Sequence, residues 1–118
     1  MKLVNCTPHA ITLIVDGQEV VIPPSGMVLR AAEVVAAEEL LAVNLDGEQL
    51  SVPVRTLSFQ QVQGLPPVEE GTLYIVSAIV AQAVKKAHPE RTDFVVPHDL
   101  VRDEEGRVVG ARALARPA

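Results

Sequence analysis

Two Asp-Gly dipeptides, each set between β-rich runs, constrain the fold more than any other feature of the sequence. Asp16-Gly17 separates Ala10-Ile11-Thr12-Leu13-Ile14-Val15 from Gln18-Glu19-Val20-Val21-Ile22, and Asp46-Gly47 separates Leu41-Ala42-Val43-Asn44-Leu45 from Gln49-Leu50-Ser51-Val52-Pro53-Val54. Both central positions of a type I′ turn need positive φ, so each dipeptide predicts a hairpin. Pro23-Pro24-Ser25-Gly26 closes the first hairpin, because neither proline can donate to a ladder. Met27-Val28-Leu29-Arg30 predicts a third strand. From Ala31 onward the signals conflict: residues 31–41 are rich in Ala, Glu and Leu, yet Val34-Val35 extends a strand. The expectation is a strand through about Val35, then a turn or short helix. Leu57-Ser58-Phe59-Gln60-Gln61-Val62 predicts a further strand. Residues 64–71 carry the longest loop signal.

The second half contains the clearest unit. Thr72-Leu73-Tyr74-Ile75-Val76 predicts a strand, and Ser77 is a good N-cap for a helix over residues 78–87. Ile79, Val80, Ala83 and Val84 would share its buried face. Lys85 and Lys86 suit its last turn, and His88-Pro89 ends it. Phe94-Val95-Val96 is a short strand. Strand, helix and strand read as a β-α-β crossover with parallel strands. Leu100-Val101-Arg102 and residues 107–114, joined by Asp103-Glu104-Glu105-Gly106, predict a last hairpin. The fold class is α+β: mostly antiparallel sheet of hairpins, with one main helix in a C-terminal β-α-β unit. A length of 118 residues supports a single domain over 1–118, and 48 % hydrophobic residues supply a packed core.

Composition excludes several classes. No run approaches the roughly 18 apolar residues of a membrane helix, so no membrane partner is expected. The N-terminus lacks the apolar core of a signal peptide, which points to the cytoplasm. The single cysteine, Cys6, rules out an intramolecular disulfide. A net charge of −5 with 3 % aromatics argues against nucleic-acid binding.

The crossover suggests a ligand site. Loops at the carboxyl edge of parallel strands form the default crevice, and unpaired amides at a helix start favour an anion. Ser77 lies there, as an anion contact or as a plain cap. With the second strand ending at Val96, Pro97, His98 and Asp99 are expected to emerge at the same edge. Neither GxGxxG nor GxxxxGKS occurs. Seven of the ten basic residues are arginine, whose fork matches phosphate and carboxylate. Arg112 shares a strand face with Val108, Gly110 and Leu114, so it must be paired or point at something. Gly110 would allow close approach beside it. Arg107 follows the turn; surface ion pairs with Asp103, Glu104 and Glu105 are its alternative. The candidate ligand-binding residues are therefore Arg30, Ser77, His98, Arg107 and Arg112.

Catalytic and metal readings are weaker. Ser77, His98 and Asp99 could suggest a triad, but neighbouring side chains on an extended segment point apart, and GxSxG is absent. Cys6-x2-His9 with His88 or His98 lacks the paired spacing of a zinc site. No catalytic residue, metal or cofactor is assigned. Thr7-Pro8-His9 reads as a turn tied by Asn5 or Thr7, with His9 bonding a backbone carbonyl or facing a ligand.

Asn5-Cys6-Thr7-Pro8-His9, Gly71-Thr72-Leu73-Tyr74-Ile75-Val76-Ser77, and Leu100 to Asp103 through Gly106-Arg107-Val108-Val109-Gly110 together resemble small proteins carried by bacterial phages, prophages and plasmids. The layout also resembles the Thoeris anti-defence sponge family in length, α+β character and late arginines. That resemblance implies a phage protein in the bacterial host cytoplasm that binds a cyclic ADP-ribose-type immune signal without degrading it. It also implies a homo-oligomer; some members bind cyclic dinucleotides at separate sites. No binding residue of that family is carried onto this chain. Adenine recognition often uses stacking, and only Phe59, Tyr74 and Phe94 could supply it. Three readings result: a binding module that sequesters a phosphorylated small molecule, a structural or protein-interaction protein of a phage or mobile element, and a small hydrolase using His9 or His98.

Overall fold

The computed structural model describes residues 1–118, apart from the side chain of Gln60. The fold is mixed α+β, with one helix, about 55 % strand and mostly antiparallel pairing. In chain order the elements are β1 (Lys2–Asn5), β2 (Ile11–Val15), β3 (Gln18–Ile22), β4 (Ala31–Leu45), β5 (Glu48–Val62), β6 (Thr72–Ile75), α1 (Ala78–Ala87), β7 (Phe94–Arg102) and β8 (Val108–Ala115). Six strands form one sheet in the order β1-β6-β7-β8-β2-β3, and β4 pairs with β5 as a separate two-stranded ribbon.

Local chemistry sets the turns. Asp16 and Gly17 take φ of 51° and 72°, and Asp46 and Gly47 take 49° and 84°, so both Asp-Gly pairs make the tight antiparallel turns of β2–β3 and β4–β5. β6 pairs in parallel with β1 on one side and β7 on the other, and α1 connects β6 to β7. Val80, Ala81, Ala83 and Val84 form the buried face of α1. Val80, Ala81 and Val84 pack with Tyr74, Val76, Phe94, Leu29 and Cys6, against which Ala31, Val62 and Leu65 also lean.

An ion pair that the sequence did not advertise ties this core to the loop over residues 64–71. Arg91 donates from Nε to Asp93 Oδ1 at 3.0 Å and from Nη2 to Asp93 Oδ2 at 2.8 Å. Its Nη2 also donates to the Pro66 carbonyl at 2.9 Å, and its guanidinium lies 4.8 Å from the centroid of the Phe94 ring. Phe94 stacks on Tyr74 at 5.5 Å, and the Tyr74 hydroxyl donates to the Pro67 carbonyl at 3.1 Å.

Four expectations are corrected. Residues 27–30 are not a strand: Met27 N donates to Ser25 Oγ and Leu29 N to the Cys6 carbonyl, so this backbone docks on the chain after β1 instead of a ladder. The expected turn or short helix after Val35 is absent. β4 runs unbroken from Ala31 to Leu45 and β5 from Glu48 to Val62, with register shifts at Ala32/Glu33 and Val35/Ala37. Ladder partners along β5 outweigh the weak helix preference of Ala, Glu and Leu. Pro53 is tolerated because each strand of a two-stranded ribbon has an open edge. Ile79 is 46 % exposed and does not share the buried face of α1. β7 does not end at Val96; it continues to Arg102 because β8 supplies a partner after β6 has stopped.

The radius of gyration is 18.2 Å. A compact domain of this length would have about 13–14 Å. The excess comes from the ribbon, in which residues 32–57 are exposed throughout apart from the half-buried Val43.

Candidate functional site

The five candidate residues fall in two separate places. Arg30 and Ser77 meet in a cleft of about 270 Å³ where the segment after β1, the base of the ribbon and the start of α1 converge. Thr7, Phe59, Ile79 and Val80 also line it.

Asn5 fixes the first wall. It is 1 % exposed, and its Oδ1 accepts from Thr7 N at 3.0 Å and Thr7 Oγ1 at 2.7 Å. Its Nδ2 donates to the carbonyls of His9 at 2.8 Å and Ile22 at 3.1 Å. Ser25 returns hydrogen bonds from N and Oγ to the Asn5 carbonyl at 2.9 and 2.7 Å. The Asn5 side chain therefore holds the Thr7-Pro8-His9 turn and the end of β3, and its main-chain carbonyl holds the segment leading to Arg30. His9 takes part through its carbonyl, while the residue itself is exposed.

Ser77 caps α1: its Oγ accepts from Val80 N at 3.3 Å, which leaves the hydroxyl proton free to donate into the cleft. The amides of the first turn lack intrahelical partners, and that turn has no acidic residue. Arg30 is exposed and has no ion-pair partner among the described residues. Tyr74 and Phe94 are buried in the core, so Phe59, half-buried on the cleft wall, is the aromatic ring with an open face. Glu33 stands opposite Phe59 in the ribbon register and is the nearest acidic position along β4. Cys6 lines the same cleft, but burial pushes its thiol up, so it stays protonated at neutral pH and packs against Met27.

The remaining three candidates lie on the β7–β8 hairpin. His98 pairs with Ala113 inside the ladder, so Pro97, His98 and Asp99 do not emerge at a sheet edge as expected. Asp99 and Arg112 form a loose ion pair at 3.5 Å, both about half exposed. Arg107 reaches Asp103 at 3.0 Å and Glu105 at 3.1 Å, and its N–H donates to Asp103 Oδ1. That amide, with the Arg107 side chain and the neighbouring amides, holds the Asp103 carboxyl below its ordinary range. The surface-pair alternative thus describes the contacts of Arg107. Gly110 is needed by the protein itself: a Cβ there would lie 2.7 Å from Ile14 Cδ1 and 3.3 Å from the Thr12 carbonyl oxygen. A shallow depression of about 240 Å³ beside it is lined by Pro97, Leu100 and the β8 segment 108–111, away from Arg107 and Arg112.

Among the described residues no group of three His, Cys, Asp or Glu side chains is placed to hold a metal ion. No helix is long and apolar enough to cross a membrane. No family model matches the chain, and no curated protein and no solved structure matches it either.

Proposed function

We propose that the chain is a non-catalytic binding module that holds a phosphorylated small molecule in the Arg30–Ser77 cleft. The observation that carries this reading is the meeting of three complementary groups: an unpaired guanidinium, a helix N-terminus and an open aromatic ring. Arginine and the first-turn amides suit a phosphate, and the Phe59 face suits a flat base. At about 270 Å³ the cleft lies just below the usual range for ligand sites. A cleft of that size would take part of a cyclic ADP-ribose-type signal, the ligand class that the resemblance suggests. Sequestration of such a signal would make this an anti-defence protein of a phage type, acting in the bacterial cytoplasm. Arg107 and Arg112 are secondary candidates, since each already has a carboxylate neighbour. Hydrolysis has less support: Ser77 Oγ serves the helix cap, His98 sits in a strand, and Asp99 faces Arg112.

The test mixes excess protein with cyclic ADP-ribose isomers and cyclic dinucleotides, filters, heats the retained fraction and identifies both parts by mass spectrometry. Retention with intact release supports the reading, and Arg30→Ala or Phe59→Ala should then lower retention at least about tenfold. A chemically altered nucleotide makes the protein an enzyme. Free passage of every nucleotide overturns nucleotide binding. The second reading, a structural or protein-interaction protein, is favoured by the exposed apolar residues of the ribbon.

A further inference from the structure

The outer ribbon is two-faced. In the register of β4 with β5, Leu45, Val43 and Leu41 stand opposite Glu48, Leu50 and Val52, and Glu39 stands opposite Val54. Side chains directly opposite share a face. One face therefore carries Leu41, Val43, Leu45, Leu50, Val52 and Val54, with Glu39 and Glu48 at its ends. The other face carries Asn44 with Gln49, Ala42 with Ser51, Leu40 with Pro53, and Glu38 with Arg55, the last pair joined at 3.1 Å. On the apolar face, Leu41, Leu45, Leu50, Val52 and Val54 are 41, 60, 45, 37 and 42 % exposed. A two-stranded ribbon with a bare apolar face is marginal in water. Strands so patterned persist when that face is covered.

We propose that this face packs on the same face of a second copy of the chain, ribbon against ribbon. Area is the first argument. Residues 39–45 at about 3.3 Å each make a stripe about 23 Å long. It presents roughly 500 Å², at the upper end of what monomers leave exposed. Two such faces would bury at most on the order of 1,000 Å², the lower bound for a specific interface, which suits a weak, concentration-dependent dimer. Shape and chemistry are the second argument. The stripe is Leu and Val throughout, with no Trp, Tyr or Arg anchor and no cavity among those described, so it lacks the knobs and holes of a heterologous site. Its matching surface is a flat apolar β face of equal length, and this chain carries one. A twofold axis normal to the stripe uses the same residues from both copies. The two glutamates at its ends disfavour an anionic membrane surface and are free to stay in water at the rim of a dimer.

The test is solution mass by light scattering and sedimentation across concentration, on the full chain. Twice the 12.6 kDa chain mass is expected. Leu41→Lys with Val52→Lys, an opposed pair on the apolar face, should weaken association at least about 100-fold and halve the mass. Ala42→Lys with Ser51→Lys, an opposed pair on the other face, should leave the mass unchanged. If circular dichroism shows that the charged apolar-face variant has unfolded, Leu50→Ala with Val52→Ala decides instead, with an expected loss of at least about tenfold. A wild-type chain that is monomeric at every concentration overturns the proposal. So does an assembly that survives the apolar-face substitutions, one that the opposite-face pair breaks equally, or a monomer that floats with phosphatidylcholine–phosphatidylglycerol vesicles.

Discussion

Asp93 shows how much one buried carboxylate can govern here. The hydrogen bonds from Arg91 hold its carboxyl below the ordinary range against burial, which acts the other way. A carboxyl whose folded value is depressed stabilises the fold at pH above its unfolded value, near 3.9. That contribution disappears as pH falls through the lower folded value. Asp93→Asn should therefore cost about 2–3 kcal/mol at pH 7, because it leaves Arg91 half-satisfied among buried groups. The gap between variant and wild type should narrow as pH falls below the unfolded value and through the lower folded one. Thermal melts over a pH series from 7 down into the acid range check both halves, and a gap that stays constant throughout would show that packing, not charge, is at stake. The pair was not legible in the sequence, because Arg91 and Asp93 lie between α1 and β7, where no strand or helix periodicity fixes which way a side chain points. Ser77 was legible as the helix cap, the contact its hydroxyl makes with Val80 N. Arg30 and Phe59 were visible only as residue types, because their meeting depends on β4 and β5 returning to the core as one ribbon.

Elements defined by local chemistry were legible, and those defined by partners were not. The two Asp-Gly turns and the helix after Ser77 follow from φ preferences and capping within a few residues. The unbroken course of β4 does not: residues 36–42 favour helix locally and become strand because residues 51–56 lie alongside. β7 likewise passes Val96 because β8 lies alongside. Gly110 shows the same dependence at the β2–β8 contact. Its missing side chain leaves room for Ile14, whose Cδ1 would sit 2.7 Å from an added Cβ. Gly110→Ala should lower stability by about 1–2 kcal/mol. Ile14→Val removes Cδ1 but keeps the γ-carbon that would lie 3.2 Å from the added Cβ, so the double variant should recover part of that loss. Denaturant midpoints of the two single variants and the double variant close this cycle. Additive losses would place the strain at the remaining γ-carbon and the Thr12 carbonyl instead.

At the scale of the whole molecule, the fold divides into a packed body and a projecting ribbon. The body holds every buried residue of the core, from Cys6 and Leu29 through α1 to Phe94 and Ala111. Residues 32–57 add length without adding to it, which is why the longest dimension reaches 56 Å. A segment that contributes no core can be removed without unfolding the rest. Deleting residues 40–53 and joining Glu39 to Val54 through an Asn-Gly turn keeps an opposed strand pair at the cut. The shortened chain should keep its helical circular dichroism and melt cooperatively. If the ribbon is where two copies meet, association stabilises the full chain by mass action. Its melting temperature should then rise with protein concentration, by the equivalent of up to about 1.4 kcal/mol per tenfold. The shortened chain should melt at one temperature over the same range. Nucleotide retention by the shortened chain should match the full chain, since Arg30, Phe59 and Ser77 all lie outside the deletion. Loss of retention on shortening would instead mean that a second copy completes the cleft, tying ligand binding to assembly.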